Sequence, residues 1–128
     1  MGNARLGGRK VLLVEDEPLI ALDLRDALSG AGATVVSASD APEAARLVGS
    51  PALAAAIVDV NLGALDCWIV CRLLARRGVP FMFYTGYTKA NVLQEWPDAP
   101  VLAKPASAEQ IVAAVGSLLE ARLDEHPA

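Results

Sequence analysis

The apolar residues of this chain fall into short unbroken runs, and between the runs they recur at helical spacing. Lys10 to Val14 (Lys-Val-Leu-Leu-Val) does not alternate, the pattern of a strand buried on both faces. Pro18 suits the first turn of a helix, with Asp16 or Glu17 near its cap. Ile20, Leu24, Ala27, Leu28 and Ala31 then share one helical face, and Gly30 and Gly32 close the helix. Ala33 to Ala38 predicts a second strand. Asp40 with Pro42 opens a short helix through Val48, stopped by Gly49-Ser50-Pro51. Ala54 to Asp59 predicts a third strand, with Asn61-Leu62-Gly63 as the loop behind it. Asp66 stands as the cap of a third helix through Arg77, ended by Gly78. Pro80 to Thr85 is a fourth strand, Thr88 to Trp96 a short helix, and Val101 to Ala103 a very short fifth strand. Ser107 and Gln110 have capping-box spacing. Ile111, Val115, Leu118 and Leu119 follow down one face of a last helix to about Arg122.

Five strands alternating with five helices predict an α/β fold with a parallel sheet covered on both faces. With right-handed crossovers, the flavodoxin-like strand order 2-1-3-4-5 puts the first and third strands side by side at the switch point. The 128 residues suffice for one domain, expected over 1–128 with flexible tails at 1–9 and 123–128.

Composition removes several function classes. Hydrophobic residues make up 54% and mean hydropathy is +0.39, yet no uncharged run approaches the roughly 18 residues of a membrane span. The excess fits doubly buried strands. The start lacks a secretory signal, because the first apolar run breaks at Glu15-Asp16-Glu17; a cytoplasmic protein is expected. A net charge of −4 argues against a nucleic-acid partner. Cys67 and Cys71 lie four apart with no second pair or nearby His to complete a metal site, so buried reduced thiols are expected. His126, the sole histidine, sits in a polar tail and makes a poor catalytic candidate.

The polar residues that follow the apolar runs carry the chemistry. Glu15 and Asp16 follow the first strand, and Asp59 ends the third. Thr85 ends the fourth, and Lys104 follows the fifth. In an open parallel sheet these positions share the crevice at the strands' carboxyl ends. Three carboxylates together need neutralising, and a hard divalent ion with oxygen ligands does so. Mg²⁺ fits best, since it accepts one or two carboxylates and leaves positions for phosphate oxygens; the Asn61 carbonyl can add a ligand. Asp59 is the candidate nucleophile toward phosphorus, and Lys104 is a point charge suited to a phosphoryl oxygen. Gly86 has no side chain to obstruct approach beside Thr85. Acids favouring the positive end of the first helix, worth about 0.3–1 kcal/mol each, explain one segment and leave Asp59, Thr85 and Lys104 as coincidences.

Val11-Leu12-Leu13-Val14-Glu15-Asp16-Glu17-Pro18, the Asp59 strand, Thr85-Gly86 and Lys104-Pro105 together resemble a response-regulator receiver domain of two-component signalling, over roughly Lys10 to Arg122. The resemblance implies phosphorylation of Asp59 by a sensor histidine kinase or histidine phosphotransfer protein. It also implies Mg²⁺ held by Asp16, Asp59 and the Asn61 carbonyl with Glu15 assisting, Lys104 pairing with the phosphoryl group, and Thr85 moving to hydrogen-bond it. Such receivers commonly carry an aromatic switch residue three positions before the Lys; here that position is Val101. Phe-Tyr-Thr-Gly-Tyr is similar to a subgroup with a Phe-Ala-Thr-Gly-Tyr-type motif, so Tyr87 or its loop is expected to take part in switching, and Asn61 and Tyr87 to tune hydrolysis.

The chain ends soon after the last predicted helix. The expected output is therefore protein–protein contact, phosphate relay or competition for phosphate, by a monomer or weak homodimer, without turnover as an enzyme. A haloacid-dehalogenase-type phosphatase is a rival, but it typically needs an acid where Asn61 stands. A phosphate-independent pseudo-receiver is a second rival, and a Rossmann dinucleotide site is disfavoured by Glu-Asp-Glu-Pro in the first turn.

Overall fold

Parallel pairing of doubly buried strands organises the chain. A computed structural model describes residues 5–60, 64–86 and 96–125. Its elements run β1 (Lys10–Val14), α1 (Pro18–Gly30), β2 (Thr34–Ala38), α2 (Ala41–Val48), β3 (Leu53–Val58), α3 (Ala64–Arg76), β4 (Phe81–Thr85), β5 (Val101–Ala103) and α4 (Ala108–Glu125). The five strands form one sheet in the order β2-β1-β3-β4-β5, every pair parallel. The predicted flavodoxin-like topology is the observed one. Four helices lie among the described residues; the fifth predicted one, from Thr88, falls at 87–95 outside them, and Trp96, its expected end, is not helical.

Alternation along the central strands divides the core in two. Leu12, Val14, Ala56, Val58, Phe81 and Phe83 face α2 and α3. Leu13, Ala55, Ile57, Met82 and Tyr84 face α1 and α4. Because β1, β3 and β4 bury nearly every residue, they lack the polar alternation of one-faced strands. Cys67 and Cys71 are fully buried free thiols on α3. Contact with Cys67, followed by burial, drives the Cys71 thiol far above its ordinary range, so it is inert packing.

Three local expectations need correction. Residues 5–9, expected to belong to a frayed tail, dock on the sheet: Leu6 is buried, its amide donates to the Ala31 carbonyl at 2.9 Å, and Gly8 donates to Gly32 at 2.8 Å. An isolated leucine carries no period, so its apolar anchor left no pattern in the sequence. Asp66 lies inside α3, which begins at Ala64, two residues before the expected cap. Ala64 and Leu65 are strong helix formers, and they extend the first turn backward. The last helix continues to Glu125 rather than stopping near Arg122.

Candidate functional site

The sheet order determines which strand ends meet. Val14 pairs with Val58, and the Asp59 amide donates to the Val14 carbonyl at 3.0 Å, so Glu15 and Asp59 leave adjacent strands at one level. On the other side, Thr85 pairs with Ala103, and the Lys104 amide donates to the Thr85 carbonyl at 3.1 Å. The chain reverses its direction of travel across the sheet between β1 and β3, which opens a crevice at their carboxyl ends. Glu15, Asp59 and Thr85 are the buried polar side chains among the described residues, and all three stand there.

Lys104 ties the acids together. Its Nζ donates to Asp59 Oδ2 at 3.0 Å and lies 3.0 Å from Glu15 Oε1. The ammonium thus bridges the two buried carboxylates, hydrogen-bonding Asp59 and pairing with Glu15. Carboxylate oxygens of Glu15, Asp16 and Asp59 all lie within 4.8 Å of one another. Asp16 is exposed, while Glu15 and Asp59 are buried. Three hard oxygen donors that close, two buried and one open to solvent, fit a hard divalent cation. A cleft of about 260 Å³ lined by Glu15, Asp16, Pro18, Ser37, Ser39 and Glu43 opens beside the acids.

Burial lifts the Glu15 carboxyl to about 7; Lys104 and the Glu17 amide oppose that rise, and Asp59 adds to it. Burial alone would lower the Lys104 ammonium, but its contacts with Asp59 and Glu15 outweigh desolvation and hold it above its ordinary value. Lys104 is therefore cationic at neutral pH.

The predicted residues converge with one change of emphasis. Glu15, expected to assist, is the buried acid bonded into the site, and Asp16 is the exposed one. Glu15 also orders the start of α1. Glu17 occupies the cap position without a side-chain bond, and its amide donates to Glu15 Oε2 at 3.1 Å. Beside Thr85, a Cβ added at Gly86 would meet nothing within 4 Å among the described residues, so the space there is open. Asn61 and Tyr87 lie outside the described residues. Val101 is half-buried against the cluster containing Phe81, Phe83 and Trp96.

Tyr84 is the participant that the sequence did not single out. Its ring centroid lies 5.6 Å from Lys104 Nζ, and its hydroxyl accepts from the Ala106 amide at 3.0 Å. The available signal was a tyrosine inside an otherwise apolar strand, since a buried phenol needs a partner.

The profile of the family described as "Response regulator receiver domain" matches residues 11–116. The chain is 31% identical over 115 residues to the phyllosphere-induced regulator PhyR of Methylorubrum extorquens, covering 86% of this chain and 43% of that protein. It is 31% identical to the response regulator MprA of Mycobacterium ulcerans, covering 86% and 50%. The chain thus spans about half the length of the curated relatives it matches. Among solved structures, a response regulator receiver protein from Sinorhizobium medicae superposes with a TM-score of 0.82 at 28% identity, covering 91% and 98% of the two chains. The BeF3-activated conformation of SdrG from Pseudomonas melonis superposes with a TM-score of 0.75 at 38% identity, covering 88% and 97%.

Proposed function

Because the chain belongs to the response regulator receiver domain family of phosphorelay signalling, we propose that it accepts a phosphoryl group on Asp59 from a sensor histidine kinase or a histidine phosphotransfer protein. The observation that carries this reading is the placement of Lys104 Nζ 3.0 Å from both Asp59 and Glu15, inside a cluster of three acids.

A carboxylate oxygen of Asp59 attacks the phosphorus of a phosphohistidine. A P–O bond forms as the P–N bond breaks, and the imidazole nitrogen leaves with the electron pair. Lys104 offsets the charge gathering on the phosphoryl oxygens, and the Thr85 hydroxyl donates to one of them. Asp16, Asp59 and the Asn61 carbonyl, with Glu15, would hold Mg²⁺, which would supply positive charge to offset that of the transferring group. Water later cleaves the acyl phosphate and returns the carboxylate.

Phosphorylation adds about 1.5–2 negative charges. Lys104 is drawn from Asp59 toward the new oxygens, and it pulls on the turn between β5 and α4. The face made by β5 and α4 then presents a changed surface to a downstream protein. With valine at 101, switching runs through Tyr87 and the residues that follow it. The protein acts in the cytoplasm as a monomer or weak homodimer and is not a turnover enzyme. No helix among the described residues is long and apolar enough to cross a membrane.

Incubation with Mg²⁺ and acetyl phosphate, read by intact mass, tests this. One phosphoryl mass on wild type, absent in Asp59→Asn and abolished by EDTA, is the expected result. A wild type that takes no phosphoryl group, or steady turnover of phosphomonoesters, would contradict it.

A further inference from the structure

In the observed sheet β4 lies between β3 and β5, so Lys104 must reach across the end of β4 to meet Asp59. Neighbouring strands stand about 4.8 Å apart, which makes that crossing about 10 Å. A lysine has four rotatable bonds, and holding one extended over such a gap costs rotamer freedom unless something beneath restricts it. Tyr84 belongs to β4, the strand being crossed. It pairs with Leu102 across the β4–β5 ladder, is 6% exposed, and is packed with Met82, Ile111 and Val112 on the α4 side of the sheet. From that fixed position it does two things. Its ring carries the Lys104 ammonium at 5.6 Å, within cation–π range, and its hydroxyl accepts the Ala106 amide at 3.0 Å. The ring therefore supports the charged end of Lys104, while the hydroxyl fixes the backbone two residues beyond it.

We propose that Tyr84 is the positioning residue that sets Lys104 against Asp59, clamping the lysine at both its ammonium and its following turn. This deepens the receiver reading above and rests on it. Tyr84 does not touch the phosphoryl group; it acts through Lys104. Positioning of this kind matters because a misplacement of about 1 Å is able to cost on the order of a hundredfold in rate.

The test uses the full chain with phosphoramidate and Mg²⁺, following the rate of phosphoryl addition by mass in wild type, Tyr84→Leu and Tyr84→Phe. In parallel, ¹³C-labelled lysine reports the ε-methylene resonances of the three lysines, with Lys104→Arg used for assignment. Wild type is expected to show a ring-current shift at Lys104. Tyr84→Leu should lose that shift and slow addition about tenfold. Tyr84→Phe keeps the ring, and is expected to keep the shift and to stay within about threefold of the wild-type rate, with faster hydrogen exchange at the Ala106 amide. An unchanged rate in Tyr84→Leu would overturn the inference. So would a slowed rate with the Lys104 resonances unmoved, since that is damage unrelated to the lysine. If wild type takes no phosphoryl group, the receiver reading fails and this inference falls with it. If wild type is labelled but Tyr84→Leu matches it, this inference alone fails.

Discussion

Burial governs the charge state of Glu15, and contact with the acids governs that of Lys104. An acid whose folded-state pKa is raised binds its proton more tightly folded than unfolded. Its ionisation therefore destabilises the native state as pH rises from the ordinary carboxylate range of about 4.3 to about 7, and the loss is complete above that. Metal-free wild type should accordingly lose on the order of 1–3 kcal/mol relative to Glu15→Gln across that window. Urea unfolding of both proteins at pH 5 and pH 8 measures it, and parallel pH profiles would contradict the assignment. Lys104→Ala should slow addition from acetyl phosphate about a hundredfold, by analogy with losing one preorganised donor to a developing anion; initial rates by mass check this. A third prediction concerns backbone conformation alone. Ala52 is exposed with φ of +62°, in the left-handed region that disfavours a Cβ. Ala52→Gly should therefore raise stability by up to about 1 kcal/mol in thermal unfolding, after the greater unfolded-state entropy of glycine is subtracted. Position along the chain identified Glu15, Asp16, Asp59, Thr85 and Lys104, because a polar residue ending an apolar run is conspicuous. It did not tell which of Glu15 and Asp16 turns inward, since that depends on where β1 ends against β3. Nor did it assign Tyr84, whose role arises from a lysine on another strand.

The boundaries of helices and strands were legible wherever local chemistry is explicit. Ser107 and Gln110 form the reciprocal bonds that their spacing implies, Gln110 N to Ser107 Oγ at 3.1 Å and Ser107 N to Gln110 Oε1 at 2.9 Å. Asp40 likewise accepts from the Glu43 amide at 2.9 Å, at the start of α2. Ser107→Ala should cost about 1 kcal/mol by chemical denaturation. An unchanged midpoint would mean that packing of Ile111, Val115 and Leu118, not the cap, determines where α4 begins. Where caps are weak, boundaries moved, as at α3, which starts before Asp66. The docking of residues 5–9 escaped notice for a different reason. A single buried leucine and hydrogen bonds to Ala31 and Gly32 are tertiary features that leave no periodic trace.

At the level of the entire fold, unbroken apolar runs implied a two-sided sheet, and the handedness of crossovers left few strand orders, among them the observed one that brings β1 beside β3. That order is what converts dispersed residues into a site: β1 and β3 contribute the acids, and β4 and β5 the hydroxyl and the ammonium. The same topology explains why the site lies at one end of the sheet while the docked N-terminal segment lies near the opposite ends of the strands. Borohydride reduction after incubation with acetyl phosphate and Mg²⁺ locates the modified carboxyl directly, because an acyl phosphate on aspartate is reduced to homoserine, readable by peptide mapping. The arrangement described here predicts homoserine at position 59 alone. Homoserine at Asp16, the alcohol derived from glutamate at Glu15, or no reduced residue at all would contradict it.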